Sequence, residues 1–245
     1  MKTENVQSKL PLVAIMGPTA SGKTSLAIEL AKKYSGEIIC ADSRTIYKGM
    51  DIGTAKPTAE EQKLVPHHML DLIEPGERYT IFQFKSEVLR IIDEIRARGN
   101  IPFLVGGSGL YLYTILFDYD FDNKMRRKDL IDNCIAVGID VDKNTLRERI
   151  KGRFQVMLDA GFVDEVRKLV KKYGSDTLQL KRNSYGETQR YIDNEIDENE
   201  LKKRAEIVDW QLAKKQNTWF TQKKDKIAWL PLKDTEKYIS DLLSE

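Results

Sequence analysis

A glycine-containing segment near the start of the chain, residues 17–24, most constrains how this sequence folds. An apolar run at 11–16 precedes it and a helical pattern of apolar residues follows it, which is the strand, loop and helix context of a phosphate-binding P-loop. The segment consists of Gly17, Pro18, Thr19, Ala20, Ser21, Gly22, Lys23 and Thr24. It predicts a site for a phosphorylated compound, whose identity the loop alone leaves open.

Each residue type in this segment suits the binding of phosphate. Glycines let backbone N–H groups converge on phosphate oxygens, and the start of the next helix adds the positive end of its dipole. Lys23 supplies a mobile cation, and the Thr24 hydroxyl is suited to coordinate Mg²⁺. We therefore expect the whole segment to bind phosphates, with Mg²⁺ as a cofactor and Thr24 as its protein ligand.

Apolar runs and helical patterns alternate along the chain. This alternation is typical of a parallel sheet with helices on both faces, whose ligands collect at the carboxyl ends of the strands. We expect an α/β fold like that of the P-loop NTPases, with a helical C-terminal portion. The predicted strands are 11–16, 37–41, 101–105, 135–141 and 226–230, and the main predicted helices are 81–99, 146–161 and 198–221.

Composition limits the cellular setting more than the chemistry. Net charge is +2, so overall charge neither requires nor excludes a nucleic acid partner. No apolar stretch approaches the roughly 18 residues of a membrane span, and residues 1–9 are polar. We expect a cytoplasmic monomer that does not associate with membranes.

A polar segment follows the second predicted strand. It begins with Asp42, Ser43, Arg44 and Thr45 and continues to a Gly-Thr-Ala-Lys-Pro sequence at 53–57. Polar connections of this kind usually carry function. An Asp at a strand end either caps a helix or ligates Mg²⁺ in the manner of a Walker B residue, and the residue itself leaves both roles open.

Several motifs together give the chain a resemblance to the tRNA dimethylallyltransferases. The motifs are the P-loop, Asp42-Ser43 with Tyr47, residues 50–57, Pro66-His67-His68, residues 106–111, and residues 211–216 with Trp219. Members of that family resemble P-loop kinases in fold. They transfer a dimethylallyl group from its diphosphate to the exocyclic amine of an adenosine beside the tRNA anticodon. The segment at 53–57 is a more specific match than the P-loop alone.

The resemblance implies a role for individual residues. Asp42 is the candidate general base for the adenine amine, and Lys23 stabilises the leaving diphosphate. Ser108 would hydrogen-bond the diphosphate or Asp42, although a Ser in a glycine-rich turn also suits a purely structural role. Further diphosphate-binding residues are expected at Lys214 and Lys215. The residues expected to bind tRNA are Asp42, Ser43, Arg44, Thr45, Lys56, Arg149 and Arg153; for the last two, an exposed helix face is the alternative.

The chain departs from the family pattern in one large respect. Members usually carry a helical insertion of several dozen residues that covers the anticodon stem-loop, whereas here about twenty residues separate Phe117 from the strand near Ile135. We therefore expect a compact member, with a P-loop core at 1–117, a shortened remnant at 118–134, and the remaining strands and helices at 135–245.

The same departure leaves the acceptor open. Thr45 also stands where the family usually has Gln, and Trp210 where it has Arg. Alternatives to tRNA prenylation are therefore an adenylate isopentenyltransferase that uses a free nucleotide, a P-loop kinase of small molecules, and a non-catalytic RNA-binding relative.

Overall fold

The computed structural model describes residues 10–119 and 127–244, and its strands form one parallel sheet. Within this part of the chain the strands, β1 to β6, are Leu12–Met16, Gly36–Cys40, His67–His68, Ile101–Gly106, Cys134–Asp140 and Ala228–Pro231. They lie in the order β3-β2-β4-β1-β5-β6. The predicted parallel sheet is confirmed. The five strands expected from the sequence are present, with ends shifted by at most two residues.

Strand β1 lies inside the sheet and is fully buried. Its last residue, Met16, aligns with Gly106 of β4 on one side and with Gly138 of β5 on the other. Because parallel strands all point the same way, the loops after β1, β2 and β4 open at the same edge of the sheet. The topology therefore brings the P-loop, Asp42 and the glycine-rich turn at 106–109 to one place.

Helices flank the sheet and fill the C-terminal portion. In the described part of the chain, α1 to α9 are Lys23–Lys33, Ala59–Leu64, Ile81–Ala97, Gly109–Leu116, Lys143–Asp159, Phe162–Tyr173, Asn183–Ile192, Glu198–Phe220 and Leu232–Ser244, and a 3₁₀ helix, Thr221–Lys226, joins α8 to β6. Sequence patterns delimited α3, α5 and α8 and indicated α1 after the P-loop. The other helices were not delimited, because most are short and their apolar stripes span few turns.

Buried apolar side chains form two main clusters. The larger lies between the sheet and the helices packed on it, and includes Leu12, Phe103 and Ile239. The smaller joins α5 to α8 with the polar segment after β2, through residues such as Met50, Phe162 and Tyr185. The helical portion therefore packs against the polar segment that follows Asp42, as well as extending the fold.

The predicted division at residues 117 and 134 stays a prediction. Residues 1–9, 120–126 and 245 lie outside the described residues, so the segment 118–134 is described only in part. The larger cluster takes side chains from both ends of the chain, because β5, β6 and α9 complete the sheet region that β1 begins. Among the described helices, none combines the length and apolarity needed to cross a membrane.

Candidate active site

The P-loop connects β1 to α1 through left-handed backbone conformations. Ala20 has φ 60° and Gly22, which precedes the first turn of α1, has φ 93°. The Ser21 N–H donates to the Pro18 carbonyl at 3.3 Å, which closes the loop. A Cβ on Gly22 would lie 2.8 Å from Leu232 Cδ2, so glycine suits this position in both conformation and space. The loop thus directs the N-terminus of α1 towards the carboxyl edge of the sheet.

Lys23 lies at the centre of this loop. Its Nζ donates to the Pro18 carbonyl at 3.2 Å. Burial lowers the pKa of Lys23 from 10.5 to about 8, while the charge of Asp42 raises it and that of Arg153 lowers it. A bound anion would favour the protonated amine, so Lys23 is suited to respond to a phosphorylated ligand.

One cavity of about 660 Å³ collects the main residues predicted from the sequence. Lys23 and Thr24 line it from the P-loop, and Asp42 lines it from the end of β2. Asp42 Oδ1 accepts a hydrogen bond from the Arg44 N–H at 2.8 Å, a turn that fixes the carboxylate relative to its own backbone. The predicted phosphate loop and the predicted general base therefore face one space.

Two arginines expected to contact tRNA lie at the P-loop. Arg149 donates to the Ser21 carbonyl at 3.2 Å, and Arg153 donates to the Thr19 hydroxyl. Both come from α5, whose helical pattern was predicted while the direction of its side chains was not. Helix α5 thus adds two guanidinium groups to the phosphate loop, one of which, Arg153, also lines the cavity.

Helix α8 supplies a P-loop contact that sequence reasoning did not assign. Gln216 Oε1 accepts from the Thr19 N–H at 2.8 Å. A Cβ on Gly107 would lie 2.5 Å from Gln216 Nε2, so the absence of a side chain at Gly107 makes room for this contact. Gln216 belongs to the motif at 211–216, which was the available signal. Its neighbours Lys214 and Lys215, expected to bind diphosphate, are exposed and do not line the cavity.

The segment at 50–57 forms a wall of the cavity and is held by α6. Glu165 accepts from the N–H groups of Asp51 at 3.1 Å, Ile52 at 2.7 Å and Gly53 at 3.2 Å, and from the Tyr185 hydroxyl at 2.6 Å. Burial raises the pKa of Tyr185, so its phenol stays a donor. One carboxylate from a later helix therefore fixes three consecutive amides of the segment.

Lys56, expected to contact tRNA, is instead buried beneath this segment. Its side chain is 3% exposed, and Nζ donates to the Tyr47 carbonyl at 2.9 Å and to Asp51 and Asp71 at 2.6 Å each. An ammonium group has three donors, so these contacts account for all of them. The geometry gives Lys56 a structural role in shaping the cavity wall.

The other expected residues lie around the cavity in different settings. Ser43 is exposed, whereas Thr45 is buried with its hydroxyl 3.5 Å from the Asp42 carbonyl. Arg44 lines the cavity, and its guanidinium donates to the Gln179 carbonyl at 3.0 Å and lies over the Tyr185 ring. Ser108 precedes α4, and within the described chain its hydroxyl makes no capping hydrogen bond.

The P-loop is compatible with Mg²⁺ of the kind held mainly by phosphates. Thr24 lines the cavity from the first turn of α1. The described residues contain no group of three or more His, Cys, Asp or Glu that could hold a metal ion by themselves. Mg²⁺ commonly takes one or two protein oxygens and completes its shell with phosphate and water. Thr24 together with a bound diphosphate fits that pattern.

A P-loop on an interior strand of a parallel sheet, facing a carboxylate across one cavity, defines a P-loop α/β enzyme. The family model for IPP transferase matches residues 45–133 and 122–223. The tRNA dimethylallyltransferases of Macrococcus caseolyticus and Bacillus subtilis are 31% and 30% identical to this chain. The first alignment covers 87% of this chain and 88% of the relative, the second 92% of each. This chain belongs to the IPP transferase family.

A solved structure agrees with that assignment. The tRNA isopentenylpyrophosphate transferase from Bacillus halodurans matches with a TM-score of 0.83 and 29% identity, over 96% of this chain and 97% of the other. The alignment with the Macrococcus protein has 275 positions, more than the 245 residues of this chain, so it includes relative residues that this chain lacks. The two parts of the family match meet at 122–133, where the missing insertion was expected.

Proposed function

We propose that this protein transfers the dimethylallyl group of dimethylallyl diphosphate to the N6 amine of an adenosine adjacent to the tRNA anticodon, releasing diphosphate. The observation that carries the proposal is the shared cavity of about 660 Å³, which the P-loop and Asp42 both face in a chain of the IPP transferase family. Pockets of about 300 to 1,000 Å³ are typical of small-molecule sites, so the space suits a short prenyl diphosphate beside a nucleoside.

The P-loop receives the charge of the leaving group. As the allylic C–O bond breaks, negative charge develops on the diphosphate, and fixed donors near that position stabilise the transition state. The amides at the start of α1, the Lys23 ammonium and the Arg153 guanidinium are such donors. Mg²⁺, when bound by Thr24 and the diphosphate, would neutralise part of the same charge.

Asp42 serves the acceptor. The adenine amine is a weak nucleophile because its lone pair is delocalised into the ring. As the new C–N bond forms and the C–O bond breaks, the carboxylate of Asp42 accepts the proton that the amine loses. The base has to leave the stack of the anticodon loop to reach this group. We propose that Arg44, which lines the cavity with Asp42, and the exposed Ser43 between them contact that nucleotide in a monomeric, cytoplasmic enzyme.

The proposal is tested by incubating the purified protein with Mg²⁺, dimethylallyl diphosphate and a tRNA that has adenosines beside its anticodon. Mass spectrometry of the digested nucleosides should show an adenosine carrying one C₅H₈ unit. Asp42→Ala should lower turnover by about 10²- to 10⁴-fold, far more than it lowers tRNA affinity, and Lys23→Ala should raise the KM for dimethylallyl diphosphate. Unmodified nucleosides from several such tRNAs, or equal loss of tRNA binding in both variants, would contradict the assignment.

A free adenosine nucleotide is the second candidate acceptor. The observation that favours it is the short stretch at 118–134, since an enzyme that holds a mononucleotide has less RNA to cover. The same assay with AMP in place of tRNA separates the two. A higher kcat/KM for AMP than for tRNA would favour the free nucleotide, and no product from AMP would exclude it.

A further inference from the structure

We propose that Asp209 is a positioning residue that holds the Arg153 guanidinium at the P-loop, where Arg153 binds a diphosphate. None of the sequence motifs includes Asp209. The inference rests on the proposed function for the identity of the diphosphate, which belongs to the prenyl donor. Binding of a diphosphate to the P-loop can be measured without the transfer reaction, so the two can fail separately.

Asp209 is a buried carboxylate on the face of α8 that lines the cavity. It shares this lining with Leu212 and Gln216, at spacings of three and four residues, which place side chains on one side of a helix. Asp209 is 3% exposed. A carboxylate buried to this extent is costly unless a cation or hydrogen-bond donors compensate it. Its surroundings therefore indicate what it does.

The two carboxylate oxygens of Asp209 have different partners. Oδ1 accepts from the Ser184 hydroxyl of α7 at 3.1 Å. Oδ2 is 3.7 Å from the nearest terminal nitrogen of Arg153 and has no hydrogen-bond partner among the described residues. Ser184 thus fixes the orientation of the Asp209 carboxylate, whose second oxygen, Oδ2, faces the guanidinium of Arg153.

Arg153 lies between Asp209 and the P-loop. It donates to the Thr19 hydroxyl on one side and faces Asp209 on the other. Its charge also opposes that of Lys23, contributing to the lowered pKa of Lys23. Two cations beside one loop repel each other, and Asp209 supplies the opposite charge that keeps Arg153 in place.

The separation of the pair decides between two effects of Asp209. A closed ion pair would occupy the guanidinium and compete with an incoming diphosphate. At 3.7 Å, with Arg153 bonded to Thr19, the guanidinium remains directed towards the P-loop. Asp209 therefore orients Arg153 for the anion, and its removal should weaken anion binding, whereas a competing carboxylate would have the opposite effect when removed.

The test is calorimetric titration of the full chain with inorganic pyrophosphate and Mg²⁺. Asp209→Asn should weaken pyrophosphate binding by about tenfold, because Arg153 loses its counter-charge. Ser184→Ala should weaken it by about two- to threefold, because the carboxylate loses one hydrogen bond. Glu206→Gln makes the same charge change on α8 at a residue outside the cavity lining, and should leave affinity unchanged.

A double-mutant cycle shows whether Asp209 acts through Arg153. In an Arg153→Lys background, Asp209→Asn should have less than a threefold effect on pyrophosphate affinity, because residues that act together are not additive. Tighter binding by Asp209→Asn, the same tenfold loss in both backgrounds, or a lower melting temperature with unchanged affinity would overturn the proposal. If the pyrophosphate affinities follow the expected pattern but the protein does not prenylate tRNA, the proposed function is contradicted and the role of Asp209 stands.

Discussion

Two halves of one cavity are built in different ways. The P-loop half comprises residues 17–24 with the side chains of Arg153 and Gln216, and the loop half comprises residues 42–57 with those of Glu165 and Tyr185. In the P-loop half, consecutive residues after β1 take their shape from local backbone conformations. In the loop half, the shape of 50–57 depends on a carboxylate more than a hundred positions later. Local conformation therefore shapes the backbone of residues 17–24, to which Arg153 and Gln216 are added by tertiary packing, whereas the backbone of residues 50–57 itself depends on tertiary packing.

This difference predicts separate roles for residues 17–24 and residues 50–57. Gly22, Lys23 and Thr24, where the P-loop enters α1, face the cavity. The segment at 53–57 instead makes its main contacts with the protein interior. Gly53 makes room for aromatic rings, and Lys56 is fully paired. We therefore expect damage to the loop half to alter acceptor use and stability while pyrophosphate binding persists.

Among the substitutions that test this comparison of the two halves, Gly53→Ala should have the largest effect. A Cβ at this position would lie 2.2 Å from Phe162 Cε2 and 2.6 Å from Tyr185 Cε2, in the cluster that supports the loop half. Overpacking of this kind costs about 1 to 3 kcal/mol. Chemical denaturation should show that loss of stability, and kcat/KM for tRNA should fall. Pyrophosphate affinity should change by no more than about twofold, well below the tenfold change that corresponds to roughly 1.4 kcal/mol.

Gly152→Ala is the matched control for that substitution. No atom lies within 4 Å of a Cβ at Gly152, which is exposed on α5. Alanine in a helix interior should raise stability by about 0.5 to 1 kcal/mol. If Gly53→Ala weakened pyrophosphate binding as much as it reduced acceptor use, the two halves would not be separable.

Glu165→Gln should have the next largest effect. The amide has one acceptor oxygen where the carboxylate offers two, and its NH₂ group would face backbone N–H donors. Loss of charge-assisted hydrogen bonds should cost about 1.5 to 3 kcal/mol. We expect a higher KM for tRNA, measured by steady-state kinetics, together with a lower melting temperature.

Asp164→Asn provides the comparison at the adjacent position. Asp164 is exposed and pairs with Arg167 one turn along α6, so its loss should cost less than about 1 kcal/mol. Equal changes in the KM for tRNA in both variants would show that the charge of α6, and not the contact with residues 51–53, governs the loop half.

The smallest effect is expected from pH and concerns the P-loop half alone. Burial holds the pKa of Lys23 at about 8, below its ordinary 10.5, and a bound anion raises it again. Pyrophosphate affinity should therefore be constant well below pH 8 and fall by up to about tenfold per pH unit above it. Calorimetric titrations at pH values about one unit apart, between about 6.5 and 9.5, measure this dependence.

Lys23→Arg separates the titration of the protein from that of pyrophosphate. Arginine stays charged over this range, so the variant should retain only the pH dependence of the ligand. An identical profile for both proteins would show that Lys23 does not titrate in the site.

The same titration of Lys23 affects folding stability. Because the pKa of Lys23 is lowered in the folded chain, protonation is unfavourable there, and this residue reduces stability below about pH 8. The penalty disappears as pH rises towards 10.5.

The sequence by itself determined the P-loop, the parallel strands and the position of Asp42 at a strand end. These features depend on glycine spacing, short apolar runs and chain order, which are local properties that a single sequence displays. It also carried the family resemblance, since the motifs are contiguous segments. The parallel sheet and the family are confirmed, and Asp42 follows the end of β2, whereas phosphate binding by residues 17–24 stays a prediction.

Only the tertiary structure decided where the charged side chains act. It directs Arg153 to the P-loop, buries Lys56 and leaves Lys214 exposed. It also brings Asp209 to the cavity, and Glu165 to the segment that forms the cavity wall. A basic residue in a helical pattern has the same sequence signature whether it faces solvent, RNA or a P-loop. Its direction is set by how α5, α6 and α8 pack against segments more than a hundred residues away, and that packing energy comes from apolar contacts distributed over the whole fold.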